Sequence, residues 1–197
     1  MDLIIGGAYQ GKCTFAAEKY GLAAADICDL AVSAPVPARC YVHLEALTRQ
    51  EAAQAVWTGM MLARRAKAEG IAVLGVGEMG IGNTTTSSAV LSALTGLPVE
   101  AVTGRGGGMT DAGFLRKKEV ITAALALHRP DSGDVLDVLS KVGGLDIAAM
   151  CGVFLGAARY RLPAVIDGFI SVVAALCAVR LQPRTADYLF ASHASHE

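Results

Sequence analysis

No apolar run in this chain reaches the length of a bilayer, no cysteine has a CxxC partner, and neither sign of charge is in excess. Each absence excludes something. With 17 Lys and Arg against 18 Asp and Glu, the formal net charge is −1 and the sequence pI about 6.4, so there is no broad positive field to recruit nucleic acid or an anionic membrane as a principal partner. The five cysteines, Cys13, Cys28, Cys40, Cys151 and Cys177, are scattered and odd in number. They fit no complete disulfide framework and read as reduced, mostly buried thiols of a cytoplasmic protein. The start, MDLIIGGAYQGK, has an acidic second residue and no basic n-region, so no secretory signal is expected. Internal repeats and low-complexity tracts are also missing.

A mean hydropathy of +0.46 nevertheless raises the membrane question. The most apolar stretches, residues 147–158 and 169–179, are shorter than the roughly 18 to 20 residues a span requires, and Asp146, Arg159, Asp167 and Arg180 flank them. Helices buried against a parallel sheet explain the same hydropathy. At 53% hydrophobic and 18% charged, the 197 residues can bury a substantial core and suit one domain, or one domain with a smaller appendage.

Along the chain, apolar residues 3–5 run into Gly6 and Gly7 and then a helix-forming segment, which reads as strand, glycine turn and helix. Pro35 and Pro37 disfavour regular structure over residues 31–42, so the expected division is a segment of residues 1–42 and an α/β domain of residues 43–197. Thr48 and Glu51 have capping-box spacing before a helix over residues 49–69 that stops at Gly70. Residues 71–76 are almost uninterruptedly aliphatic, as in a strand buried on both faces. Further helices are expected over 84–94, 112–127, 131–141, 146–160 and 169–181, with Asp146 as a cap and a short buried strand over 163–167. Strands alternating with helices predict an α/β fold: a three-layer, Rossmann-like parallel sheet flanked by helices, and an incomplete one.

Two segments carry candidate chemistry. Residues 6–13, GGAYQGKC, match the GxxxxGK core of a phosphate-binding loop, with Gly6, Gly11 and Lys12 as nucleotide-binding candidates. Cys13 stands where a hydroxyl normally meets magnesium, so a glycine-tight turn without nucleotide is the alternative. The second segment, GEMGIGNTTT at residues 77–86, lies where a strand hands over to a helix, the edge at which open α/β sheets bind ligands. Gly80 and Gly82 permit close backbone approach, amides and hydroxyls near Thr84 can hold phosphate, and Glu78 places a carboxylate at the same edge. The bland alternative makes the glycines a turn, Asn83 or Thr84 a cap, and Glu78 a solvated charge. Asp167 at a strand end either orients site groups or caps the following helix. His193 and His196 have HxxH spacing without a third ligand, which is weak support for a metal.

From about residue 48 onward the chain resembles the nicotinate-nucleotide–dimethylbenzimidazole phosphoribosyltransferase family of cobalamin assembly. Five blocks carry the resemblance: EMGIGNTTTSSAV at 78–90, VTGRGGG at 102–108, KVGGLDIAAMCGVFLGAA at 141–158, LPAVIDGFIS at 162–171 and DYLFASHASHE at 187–197. About the first 45 residues resemble the start of adenosylcobinamide kinase/adenosylcobinamide-phosphate guanylyltransferase. The first resemblance implies that the phosphate of nicotinate mononucleotide lies against Gly80, Ile81, Gly82, Asn83 and Thr84, with Lys118 helping to hold it and Lys117 as the neighbouring alternative. It implies Gly104, Gly106 and Gly108 as a second backbone wall and Glu78 as the acidic catalytic residue near the ribose and the incoming base.

The implied reaction displaces nicotinate from C1′ by a nitrogen of 5,6-dimethylbenzimidazole, giving α-ribazole 5′-phosphate and nicotinate, with no metal or other cofactor, in a cytoplasmic homodimer. The family's presumed general base sits on a later GEGTGA-type element that is not among these residues, so weak substrate binding with little turnover is expected. The alternatives are a kinase- or guanylyltransferase-like protein using ATP or GTP with magnesium, and a non-catalytic partner subunit.

Overall fold

The computed structural model describes residues 47–193 apart from 79, 81, 107 and 108. The segment of residues 1–42, its boundary, and the nucleotide-loop candidates Gly6, Gly11 and Lys12 therefore lie outside the described residues, as do Ile81 and Gly108. The described chain is mostly helical around a small parallel sheet. In order it comprises α1 (Arg49–Ala68), β1 (Leu74–Gly77), α2 (Asn83–Thr95), α3 (Val99–Val102), α4 (Asp111–His128), α5 (Val135–Val142), α6 (Leu145–Tyr160), β2 (Ala164–Asp167), α7 (Gly168–Leu181), a 3-10 turn (Pro183–Tyr188) and β3 (Leu189–Ala191).

The local signals explain most of these boundaries. Thr48 Oγ1 accepts the Glu51 amide at 3.2 Å while the Glu51 carboxylate takes the Thr48 amide at 2.7 Å, so both halves of the capping box form. Two starts differ from expectation. Residue 131 does not open a helix: Asp131 instead receives the Gly133 amide in a tight turn, and Asp134 caps α5 by accepting the Leu136 and Asp137 amides. Nor is Asp146 a cap. Gly144 holds that position, and the Asp146 carboxylate accepts the Ile147 amide from within the first turn.

β2 is the central strand, with β1 and β3 parallel on either side, and Gly77 stands opposite Asp167 in the register. All carboxyl ends therefore emerge at one edge. The connection from β1 to β2 runs through five helices and that from β2 to β3 through α7. Ser171 Oγ of α7 donates to the buried Val76 carbonyl at 2.6 Å, tying this helix to β1.

The core joins Val90 and Leu94 of α2, Leu139 of α5, Phe154 of α6 and Val173 of α7. The expectation that β1 is buried on both faces is corrected: within it only Val76 is buried, and Ile71 and Val73 just before it are exposed. One side of this aliphatic run meets the core, and no described element covers the other. Helices α1 and α6 approach unusually closely because glycines face backbone across the contact. A Cβ on Gly152 would lie 1.9 Å from the Val56 carbonyl oxygen, and one on Gly59 would lie 1.9 Å from that of Ala149.

Candidate functional site

The loop after β1 is shaped from within. Glu78 leaves the strand half-buried and its Oε2 accepts the Gly80 amide at 2.8 Å, folding the turn back on its own carboxylate. Gly82 takes φ 90° at the N-cap position of α2, a left-handed conformation that suits glycine. No side chain caps α2 and its first turn holds no acidic residue, so its amide end is electropositive. Asn83 is 3% exposed, and its Nδ2 has no hydrogen-bond partner among the described residues.

A second segment and a third element meet this turn. Lys117, on α4, is only 5% exposed, and its ammonium donates to Thr84 Oγ1 at 3.0 Å and to the Gly104 carbonyl at 2.8 Å. Gly106 has φ 66°, and a Cβ there would stand 3.4 Å from Thr84 Oγ1. The β1–α2 turn, the 104–106 segment and α4 thus converge on one buried positive charge. The two lysines separate cleanly: Lys118 lies with its ammonium 4.1 Å over the Phe114 ring, on a part of α4 that also carries Leu115 and Glu119 beside Glu100. Arg105 stacks on the same ring at 5.0 Å and pairs with Asp111. The lysine brought to the glycine turn is therefore Lys117, not the Lys118 preferred from sequence.

Asp167 stands at the end of β2, beside Gly77 of β1. It occupies the N-cap position of α7 but makes no side-chain cap bond, so the capping alternative is not what the structure contains. Its Oδ1 instead receives Ser192 Oγ at 3.2 Å, while Ser192 Oγ and His193 Nδ1 are 2.7 Å apart. Sequence reasoning singled out neither Ser192 nor this role for His193; their signal was the block at 187–197. Among the described residues, no group of three or more His, Cys, Asp or Glu converges as a metal site would require, and no helix is long and apolar enough to cross a membrane.

The arrangement offers an electropositive helix end with a buried ammonium on one side and two carboxylates at adjacent strand ends on the other. Such a site suits a small ligand with an anionic end and a cationic or polarised end.

A family model described as phosphoribosyltransferase matches residues 16–197. A nicotinate-nucleotide–dimethylbenzimidazole phosphoribosyltransferase of Geobacter sulfurreducens is 56% identical over 159 residues, covering 81% of this chain and 45% of the relative. One of the same name from Roseiflexus sp. is 57% identical over 152 residues, covering 77% and 43%. The chain thus spans less than half the length of these curated relatives. A crystal structure of CobT from Thermus thermophilus superposes with a TM-score of 0.73 at 36% identity, over 95% of this chain and 64% of that one.

Proposed function

Since this chain belongs to the phosphoribosyltransferase family, we propose that its site binds nicotinate mononucleotide and serves phosphoribosyl transfer to 5,6-dimethylbenzimidazole, yielding α-ribazole 5′-phosphate and nicotinate in cobalamin assembly. The observation that carries this reading is the buried Lys117 ammonium joining the first turn of α2 to the Gly104 carbonyl. A phosphate at that helix end meets backbone amides, the Thr84 hydroxyl and a fixed positive charge together.

With the phosphate anchored, C1′ of the ribose is held in reach of the strand ends. The unprotonated azole nitrogen of the base attacks C1′, and the bond from C1′ to the pyridine nitrogen breaks. Its electron pair neutralises the pyridinium as nicotinate leaves, and the proton on the other azole nitrogen passes to a carboxylate or to water. Positive charge on the ribose grows in the transition state, and in this reading Glu78 and Asp167 stabilise it. Glu78 is also the described carboxylate we assign as proton acceptor. In this reading the enzyme is a cytoplasmic homodimer, a state that sedimentation of the purified chain checks directly.

Calorimetric titration with nicotinate mononucleotide, and separately with ATP and GTP plus magnesium, tests the proposal. Saturable binding of the mononucleotide, followed by chromatographic detection of nicotinate and α-ribazole phosphate once dimethylbenzimidazole is added, is the expected result. The chain spans less than half its relatives' length, so binding is the sharper readout. Response to the triphosphates alone would overturn the proposal in favour of Gly6, Gly11 and Lys12, and silence from all three would overturn it outright.

A further inference from the structure

We propose that Ser192 and His193 are positioning residues for the site carboxylate of Asp167, acting through a directed relay in which His193 Nδ1–H donates to Ser192 Oγ and Ser192 Oγ–H donates to Asp167 Oδ1. The inference rests on the reading of the site given above. Its geometry comes from three strand ends. The Ser192 amide donates to the Ile166 carbonyl at 3.1 Å, continuing the β2–β3 ladder one residue past Ala191 and holding Ser192 beside Asp167. Ser192 Oγ then lies 3.2 Å from Asp167 Oδ1 and 2.7 Å from His193 Nδ1, while His193 Nδ1 is 3.7 Å from Asp167 Oδ1, beyond direct hydrogen-bond reach.

Proton counting fixes the direction. A serine hydroxyl has one proton, and an ionised carboxylate only accepts. Were Ser192 to donate to His193, two bare oxygens would face each other at 3.2 Å. With Ser192 donating to Asp167, the short contact to His193 must be a donation from the ring, which requires a proton on Nδ1. This holds for the neutral Nδ1–H tautomer and for the imidazolium alike.

The arrangement leaves the two Asp167 oxygens with different tasks. Oδ1 is tied to the end of β3, whereas Oδ2 would lie 3.4 Å from a Cβ built on Gly77, over the end of β1. An exposed carboxylate at a strand end otherwise samples several rotamers. Tethered through one oxygen, it presents the other toward the β1 end, where the ribose and its cationic ring are expected.

Two measurements on the full chain test the relay. In ¹⁵N-edited spectra of the imidazoles, with the His193 signal assigned by its loss in His193→Asn, the neutral ring is expected as the Nδ1–H tautomer in the parent chain. Ser192→Ala should release that preference. An Nε2–H ring in the parent chain would overturn the proposal, whatever the substrate does. The second readout is affinity for nicotinate mononucleotide. Ser192→Ala should weaken binding about tenfold, as loss of a hydrogen bond to a charged group does, and His193→Phe, which removes a donor to the Ser192 hydroxyl and not to the carboxylate itself, about fivefold. Ser192→Thr and His193→Asn, which keep a donor in place, should recover most of that loss. In an Asp167→Asn background, Ser192→Ala should have almost no further effect. Additive losses would overturn the positioning role. Binding unchanged in Ser192→Ala, His193→Phe and Asp167→Asn alike would also overturn it while leaving the phosphate anchor standing, and loss of binding in Lys117→Met alone would mark that separate result.

Discussion

Replacing Lys117 and Lys118 one at a time with methionine separates a buried anchor from a neighbour one residue away. Methionine keeps the length and apolar volume of the side chain and removes only the charge and the donors. In Lys117→Met, the Gly104 carbonyl and the Thr84 hydroxyl lose an ammonium that now stands 2.8 and 3.0 Å away. Two unit charges about 4 Å apart at an effective dielectric near 20 attract by about 4 kcal/mol before any desolvation is subtracted. Charge-assisted hydrogen bonds measured net of such costs contribute about 1.5 to 3 kcal/mol. Nicotinate mononucleotide affinity should therefore fall roughly 10- to 150-fold in Lys117→Met. Lys118→Met removes an ammonium from the face of Phe114, a half-buried cation–π contact of about 0.5 to 2 kcal/mol, and should change affinity less than about twofold. Calorimetry on both variants, with circular dichroism to verify folding, is the assay. A Lys118 effect larger than the Lys117 effect, or a folded Lys117→Met chain that binds as tightly as the parent, would refute the assignment.

Three further outcomes concern stability. Gly152→Ala adds a Cβ 1.9 Å from the Val56 carbonyl oxygen, a backbone atom no rotamer can move aside, so α1 and α6 must part by more than about 1 Å. Overpacking of about 1 to 3 kcal/mol or more should outweigh a helix-propensity gain of about 1 kcal/mol, and urea denaturation showing a stabilised variant would contradict the packing argument. The Asp134 carboxyl is held below its ordinary range, first by the hydrogen bond from Arg49, against a burial cost, and then by the Asp137 amide. Asp137 is also lowered: burial pushes it up, but the Asp131 amide and Lys141 outweigh that. Folded values below the unfolded ones mean stability present above about pH 4 and lost as pH falls through the unfolded pKa toward the folded ones. Asp134→Ala should cost about 1 kcal/mol at pH 7 through the lost α5 cap, whereas Asp134→Asn should keep the cap and lose only part of the acid sensitivity. Equal urea midpoints at pH 3 and pH 7 would sink this account. Burial pushes the Cys177 thiol up to about 12 and that of Cys151 well above the usual thiol range, so a thiol reagent at pH 8 should modify neither until urea unfolds the chain, as peptide mapping of the labelled sites would show.

The parts of the fold legible in sequence are those specified by neighbours along the chain. Thr48 and Glu51 predict their own capping box because both partners lie within one helical turn. The glycines before α2 mark a ligand-facing turn because φ values such as the 90° of Gly82 favour glycine. The choice between Lys117 and Lys118 was open to the same kind of reading. Lys117, Ile121 and Ala124 are the buried residues of α4 and follow helical spacing, which places Lys117 and not Lys118 on the inward stripe. The start of α5 was missed because the Asp131–Gly133 turn and the Asp134 cap both draw on acidic residues that also suit a first helical turn.

Composition, helical periodicity and the glycine and capping signals determined by themselves an α/β chain, most of its helices and the turn that faces the ligand, since each depends on interactions a few residues apart. Only the tertiary structure decided that Lys117 reaches Thr84 and Gly104, that β1 is buried at Val76 alone, and that Asp167 is held by Ser192 beside His193. Those contacts span up to 95 residues and depend on strand register and helix phase, which arise only when the elements pack against one another.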